Sequence, residues 1–283
     1  MILLSEKQAE EILSAHKKGS GGEVAVSLDL GKSISKVIIK GDVVLFPDGQ
    51  KLDLNSIRKI EGETCFAVED CKLFRIQMFS KKTMRTYKLV PTQAAPALSI
   101  SGVRMHQTKD YNPLEDAKMK AAAIKPLKDR IVLDTCMGLG YSAIQAVSEG
   151  ALHVTTVEED DCVVELTKVN PWSSKLWNSS RINMIEGDVA CIVAGFQDEC
   201  FDRIIHDPPR IGMAGELYGG EFYRQLFRVM KPGGILFHYV GRPGSNFRHK
   251  NIMKGVIERL RNVGFTGIRK IEASQGVKAV RGR

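Results

Sequence analysis

The sequence predicts an α/β protein: a doubly wound, mainly parallel sheet that closes with an antiparallel hairpin, with a small β-rich domain in front of it. Three observations carry this. After Arg130, strand-like and helix-like segments alternate regularly, the rhythm that helical crossovers between parallel strands impose. The last two strand candidates, Phe265 to Ile271 and Val277 to Val280, are separated by a short turn around Ser274-Gln275-Gly276, which leaves room for an antiparallel partner and none for a crossover. Before Pro91 the pattern differs: short strand runs follow one another, with turn residues such as Pro47-Asp48-Gly49 between them.

Taken in order, Gln8 to Lys17 has helical character and is broken by Gly19-Ser20-Gly21-Gly22. Strand runs are expected at Val24 to Leu30, Lys36 to Ile39, Val43 to Phe46, Cys65 to Val68, Phe74 to Phe79 and Thr86 to Val90. Pro91 to Pro96 reads as a linker or edge and closes a domain of residues 1–96. Residues 97–129 are expected to form a linker and a helix, Pro113 to Ile124, with Asn112 or Asp110 as its cap and Pro113 in its first turn. The core domain, 130–283, has strand candidates at Ile131 to Leu133, Val154 to Val157, Ile182 to Ile185, Phe201 to Ile205 and Ile235 to Val240. Helices are expected between them at Ser142 to Ser148, Asp161 to Val169, Val189 to Phe196 and Glu221 to Met230, with another at Asn251 to Val263.

With 283 residues, 43% hydrophobic and 26% charged, the chain has the composition of a soluble globular protein, which excludes disordered and collagenous classes. The apolar run at the N-terminus is too short for a signal peptide, and no stretch reaches the ~20 apolar residues of a spanning helix, so no membrane contact and a cytoplasmic location are expected. Cys65, Cys71, Cys136, Cys162, Cys191 and Cys200 form no C-x-x-C pair and have no histidine at zinc spacing. They are expected to be reduced and mostly buried, with no metal site. The net charge of +8 is unevenly placed. Residues 241–283 hold eleven Lys and Arg against Glu258 and Glu272, whereas residues 131–240 hold eight basic and fifteen acidic side chains. A basic face beside an acidic crevice suits a polyanion such as RNA, and a solvated charged surface gives the same count. A homodimer is compatible with the sequence.

The first core strand runs into Asp134-Thr135-Cys136-Met137-Gly138-Leu139-Gly140. Glycines between a strand's carboxyl end and a helix let backbone approach a nucleotide at the crevice where open α/β sheets bind ligands. Gly138-x-Gly140-x-x-Ala143 also fits the dinucleotide fingerprint, with Glu158 at the distance of its ribose acid. The surrounding residues decide between these. Asp134, Gly138 and Gly140 resemble the first motif of S-adenosylmethionine-dependent methyltransferases, with Cys136 in place of its first glycine. The resemblance implies a Rossmann-like seven-stranded sheet, S-adenosylmethionine as cofactor, Asp134 near the methionine amino group, Glu158 on both ribose hydroxyls and Asp188, in Glu186-Gly187-Asp188, on the adenine amine. An acid at 188 also suits a plain helix cap.

Ile205-His206-Asp207-Pro208-Pro209-Arg210 resembles the D/N-P-P-Y/F/W motif of methyltransferases that act on amino groups. Consecutive prolines hold an extended loop without N–H groups, so a carboxylate and a carbonyl stay fixed and can orient an amine lone pair. The resemblance assigns Asp207 and Pro208 to the acceptor. Arg210 replaces the usual aromatic ring and can stack on a base or grip an anion. A second run, from Asp207-Pro208 through Leu217-Tyr218 and Glu221-Phe222-Tyr223, looks like spermidine synthases. Their D-x-x-D-P pattern lacks its first carboxylate here, where Ile204 stands, which disfavours aminopropyl transfer. Met105-His106, Asn170-Pro171-Trp172-Ser173 and His206-Asp207-Pro208-Pro209-Arg210 resemble an uncharacterised archaeal methyltransferase group. His106 is a candidate to fold over the cofactor, Trp172 to stack on a ligand or anchor the core, and His238 to line the acceptor pocket or sit satisfied in the core. The resulting expectation is methyl transfer to an amino group, with an RNA base favoured. An aminopropyl or aminocarboxypropyl transferase and an RNA-binding module with a vestigial cofactor site are the alternatives.

Overall fold

The computed structural model describes residues 1–19, 22–106, 111–241, 246–247 and 250–282. The chain forms two compact units, Met1–Leu114 with Glu165–Ser174, and Glu115–Val164 with Lys175–Arg283.

The first unit is built from antiparallel sheets. One has the strands Ile2–Leu4, Phe66–Glu69 and Lys72–Arg75; a second runs Gly22–Val26, Ser35–Lys40, Val43–Leu45 and Lys51–Asp53. A third takes Gln77–Ser80, Arg85–Val90, Ala97–Ile100 and Val103–Arg104. The strand expected to run to Leu30 stops at Val26, because side chains capture the next backbone groups. Ser27 Oγ accepts from Gly31 N at 2.7 Å, and Asp29 Oδ1 accepts from Ser33 N at 2.8 Å. Residues 97–104, expected in a linker, continue the third sheet. The Thr92 hydroxyl, which donates to the Ala95 carbonyl and accepts from Ala94 N, turns the Pro-Ala stretch back onto its own sheet.

In the second unit the strands are β1 (Ile131–Asp134), β2 (His153–Glu158), β3 (Ile182–Glu186), β4 (Phe201–His206), β5 (Met230–Tyr239), β6 (Phe265–Ile271) and β7 (Gly276–Arg281). They form one mixed sheet in the order β3-β2-β1-β4-β5-β7-β6, parallel except for β7, which runs antiparallel to both its neighbours. Alternate residues face opposite sides: Leu133, Ile204 and Leu236 enter one core cluster, and Val132, Ile205 and Phe237 the other. Burial on both faces explains why these strands read as near-continuous apolar runs, each large side chain contributing roughly 1.5–3 kcal/mol.

Helices α1 (Pro113–Ala123), α2 (Tyr141–Ser148), α3 (Asp161–Val169), α4 (Ser174–Asn178), α5 (Val189–Ile192), α6 (Gly220–Val229) and α7 (Ile252–Val263) complete the layers. Asn112 accepts from Leu114 N at 3.0 Å at the start of α1, while Asp110 lies outside the described residues. The C-terminal end of α1 is tied to β4, where the buried Arg203 donates from Nε to the carbonyls of Ile124 (2.8 Å) and Pro126 (3.2 Å). The helix expected over Val189 to Phe196 is α for one turn and then tightens to a 3-10 turn over Val193–Gly195. Met230, expected to end α6, is the first residue of β5. Among the described residues no helix is long and apolar enough to cross a membrane.

Candidate active site

The strand order reverses between β1 and β4, so the two chain directions leave a crevice at the strands' carboxyl ends. Asp134 ends β1 there, fully buried. Its Oδ2 accepts from the Thr156 hydroxyl at 2.9 Å, and its Oδ1 has no partner among the described residues. Burial, against the pull of that hydrogen bond and with the nearby Asp207 charge, pushes its carboxyl up to about 8. The following loop is held by strands on either side: Thr135 N donates to the Ile205 carbonyl and Met137 N to that of Val157. Gly138 and Gly140 take φ of +54° and +77°, where a Cβ is strained. Cys136 is not among the positive-φ residues, so the glycine that stands there in the resembled motif is not required by this backbone.

Glu158, at the tip of β2, clamps this loop. Its Oε2 accepts from Gly138 N at 2.9 Å, and its Oε1 from Glu159 N at 3.0 Å and Asp160 N at 3.2 Å. Burial outweighs these bonds and raises its carboxyl to about 7. The next turn is brought alongside by Gly187 N, which donates to the Glu158 carbonyl at 2.7 Å. Asp188 there is exposed and caps α5, accepting from Ala190 N at 2.8 Å. The cap reading of this residue thus holds.

Asp207 follows β4 with Pro208 buried behind it. The loop is pinned by the Tyr218 hydroxyl, which donates to the Pro209 carbonyl at 3.0 Å. Sequence reasoning missed the partner of Asp207. Lys120 of α1 places Nζ 2.5 Å from Asp207 Oδ2 and 2.6 Å from Asp116 Oδ2, with Lys120 3% and Asp116 1% exposed and the Asp207 side chain 20% exposed. Burial pulls the lysine down, but the Asp207 and Asp116 carboxylates outweigh it and hold the ammonium above its ordinary value. Burial raises Asp207, and Lys120 opposes that rise. The Lys120 ammonium also sits 5.3 Å from the centre of the Tyr239 ring. The signal available in the sequence was Asp116-x-x-x-Lys120, an ion pair at helical spacing beside alanines. Arg210 is exposed, and its carbonyl accepts from Met213 N and Ala214 N.

The other candidates separate from this crevice. His206 is fully buried: Nε2 donates to the Leu217 carbonyl at 2.9 Å and Nδ1 accepts from the Thr135 hydroxyl at 2.7 Å, a neutral ring with its pKa lowered to about 4 by burial. His238 packs against it, the ring centres 4.3 Å apart and the planes tilted by 54°, and bonds the Tyr223 hydroxyl at 2.7 Å, which places it in the core. His106 accepts from Leu98 N through Nδ1 within the first unit. Trp172 donates to the Leu30 carbonyl at 3.1 Å, an anchor in that same unit. The expectation of mostly buried thiols is corrected: Cys65 is buried, Cys71 and Cys191 are exposed, and the other three are half-buried. Cys71 sits in a two-residue hairpin turn with φ of +58°, and Cys191 on the outer face of α5, positions that turn geometry and helix phase expose. Among the described residues Asp160, Asp161 and Cys162 bring ligand atoms within 4.8 Å. Both carboxylates accept from Cys162 N at the start of α3, and burial with these acids raises the thiol to about 11.

The family described as "Conserved hypothetical protein 95" matches residues 111–217. "Uncharacterized protein MJ1233" of Methanocaldococcus jannaschii is 45% identical over 100% of this chain and 96% of its own length. Putrescine N-methyltransferase 2 of Nicotiana attenuata is 29% identical over 44% of this chain, and the match spans about a third (34%) of that protein. A spermidine synthase solved with the transition state analogue AdoDATO shares the fold, with a TM-score of 0.62 at 18% identity over 75% of this chain and 76% of that one. The chain belongs to the family of the M. jannaschii protein, a class I methyltransferase group, and is an enzyme dependent on S-adenosylmethionine.

Proposed function

We propose that the enzyme methylates a nitrogen and that its acceptor is a base amine in RNA. S-Adenosylmethionine, when bound, supplies a methyl group made electrophilic by its sulfonium. The residues present fit that group. The buried Oδ1 of Asp134, without a partner among the described residues, matches the ammonium of its amino-acid end. Glu158 at the tip of β2 suits the ribose hydroxyls, and Asp188, exposed in the turn that Gly187 joins to Glu158, suits the adenine amine while keeping its cap. At Gly138 nothing lies within 4 Å of where a Cβ would stand, so the backbone there is open to close approach.

The observation that carries the acceptor assignment is Asp207, fixed after β4 next to the strand that ends in Asp134, with one oxygen held by Lys120. Its remaining acceptor capacity and the Pro208 carbonyl orient the nitrogen so that its lone pair faces the methyl, and the carboxylate takes a hydrogen bond from the amine. Arg210, exposed beside the loop, serves to grip a phosphate or stack a base. Lys254, Arg261, Arg269 and Lys270 are exposed, and Arg269 stands directly opposite Lys278 in the β6–β7 ladder. Like charges in that register are unfavourable unless an anion is shared, which supports a phosphate-bearing partner. Arg242, Arg248 and Arg283 lie outside the described residues.

A diamine is the second reading, favoured by the match to the putrescine N-methyltransferases. Ile204, at the place of the first carboxylate in the D-x-x-D-P pattern, is fully buried in the apolar core, so no acid stands there to receive a diamine's second nitrogen. The test is methyl-labelled cofactor given separately with RNA, protein extract and polyamines. Label in RNA supports the assignment; label only in polyamine or protein overturns it.

A further inference from the structure

The ammonium of Lys120 occupies the position on Asp207 that a cationic amine substrate would seek. It lies 2.5 Å from Oδ2 and 5.3 Å from the centre of the Tyr239 ring, the two partners, carboxylate and aromatic face, that recognise an alkylammonium. It is not free to leave. Its side chain is 3% exposed, Asp116 one helical turn earlier grips it at 2.6 Å, and Arg203 ties the C-terminal end of the same helix to β4 through the carbonyls of Ile124 and Pro126.

We propose that Lys120 is a positioning and specificity residue: it fixes the Asp207 carboxylate and, as a built-in cation, confines the acceptor to nitrogens that are uncharged at neutral pH, such as aromatic base amines or amides. This inference rests on the assignment of Asp207 to the acceptor. An alkyl diamine, charged at neutral pH, meets a like charge beside the Asp207 carboxylate, whereas an aromatic amine brings none. The same lysine, fixed by two carboxylates, keeps Asp207 from turning away when the crevice is empty.

The experiment is calorimetric titration of putrescine into protein loaded with S-adenosylhomocysteine, comparing the wild type with Lys120→Met, Lys120→Gln and Lys120→Arg. The wild type and Lys120→Arg, which keep the charge, are expected to bind putrescine at least tenfold more weakly than Lys120→Met and Lys120→Gln. With the natural acceptor, Lys120→Met is expected to lower kcat more than it raises KM, because the carboxylate is loosened, and Lys120→Arg to restore part of the loss. Equal putrescine affinity in all four proteins, or wild-type affinity as high as that of Lys120→Met, overturns the proposal. Thermal melts check that each variant folds; if Lys120→Met does not, Lys120→Gln carries the comparison. Loss of S-adenosylhomocysteine binding in the wild type would instead defeat the cofactor site. Putrescine binding that survives Asp207→Asn in the Lys120→Met background would defeat the acceptor assignment.

Discussion

The Glu158 carboxylate reaches back from the tip of β2 to take the Gly138 N–H at 2.9 Å, so the acid proposed for the ribose also fixes the glycine loop. One side chain couples loop shape to ligand recognition. Glu158→Ala is therefore expected to weaken S-adenosylmethionine binding by more than one hydrogen bond's worth, roughly 2–4 kcal/mol, since a partner is lost and an amide is freed. Calorimetric affinities of Glu158→Ala and Glu158→Gln check this, with Gln retaining part of the loop contact. Affinity equal to the wild type would remove Glu158 from the site.

Asp134 leads to a pH prediction. Its carboxyl is raised to about 8, so below that pH the empty protein holds it mostly protonated, and an ammonium must displace the proton. Affinity for S-adenosylmethionine is expected to rise with pH up to about 8 and level off above it, by up to about tenfold per unit for a single group. Glu158, raised to about 7, steepens the curve below about pH 7, where it too must lose a proton before it can accept from the ribose hydroxyls. Binding releases protons, so the calorimetric heat at pH 7 depends on the buffer's ionisation enthalpy. Asp134→Asn is expected to bind weakly and without this pH dependence. A wild-type affinity flat from pH 6 to 8.5 contradicts the assignment.

The two loop glycines separate by their surroundings. At Gly140 a Cβ would stand 2.9 Å from Leu176 as well as at φ +77°, whereas at Gly138 there is open space and only the φ of +54° to strain. Gly140→Ala is expected to cost about 2–3 kcal/mol and Gly138→Ala about 1 kcal/mol of stability, with Gly138→Ala instead weakening cofactor binding. Urea unfolding and calorimetry on the two variants test the contrast, and equal costs contradict it.

The sheet was legible because its strands are buried on both faces: Val132 and Leu133 leave opposite sides of β1 and are both apolar, a run no amphipathic strand shows. The glycine loop, Glu158 and the Asp-Pro-Pro loop were legible as motifs because backbone geometry dictates them. Lys120 was not, since its partner is 87 residues away and only the fold brings them together. The strand at Ile2–Leu4 escaped notice because three residues carry no periodicity and its pairing with Phe66–Glu69 is remote in sequence. The strand end at Val26 depended on side-chain hydrogen bonds, and the expected Phe74 to Phe79 strand breaks at Ile76 into Lys72–Arg75 and Gln77–Ser80 of two different sheets, a switch that local propensity does not encode.

The exposed cysteines offer a check independent of activity. Cys71 and Cys191 are expected to react first with a thiol reagent in the native protein, Cys191 slowed by the Asp188 carboxylate that raises its pKa. Cys65, buried and pushed up to about 12, is expected to react only on unfolding. Mass spectrometry of partially labelled protein tells the order, and early labelling of Cys65 would contradict the packing of the first unit.

The central claim is methyl transfer to an amine held at Asp207 from a cofactor held at Asp134 and Glu158. It is tested most directly by transfer of labelled methyl to RNA, measured side by side for the wild type and Asp207→Asn with cofactor binding followed by calorimetry in both. The expected result is label in RNA with the wild type, a loss of about a hundredfold or more in Asp207→Asn, and cofactor affinity preserved in the variant. Undiminished transfer by Asp207→Asn, or a wild type that binds S-adenosylmethionine yet labels no RNA, would contradict the account.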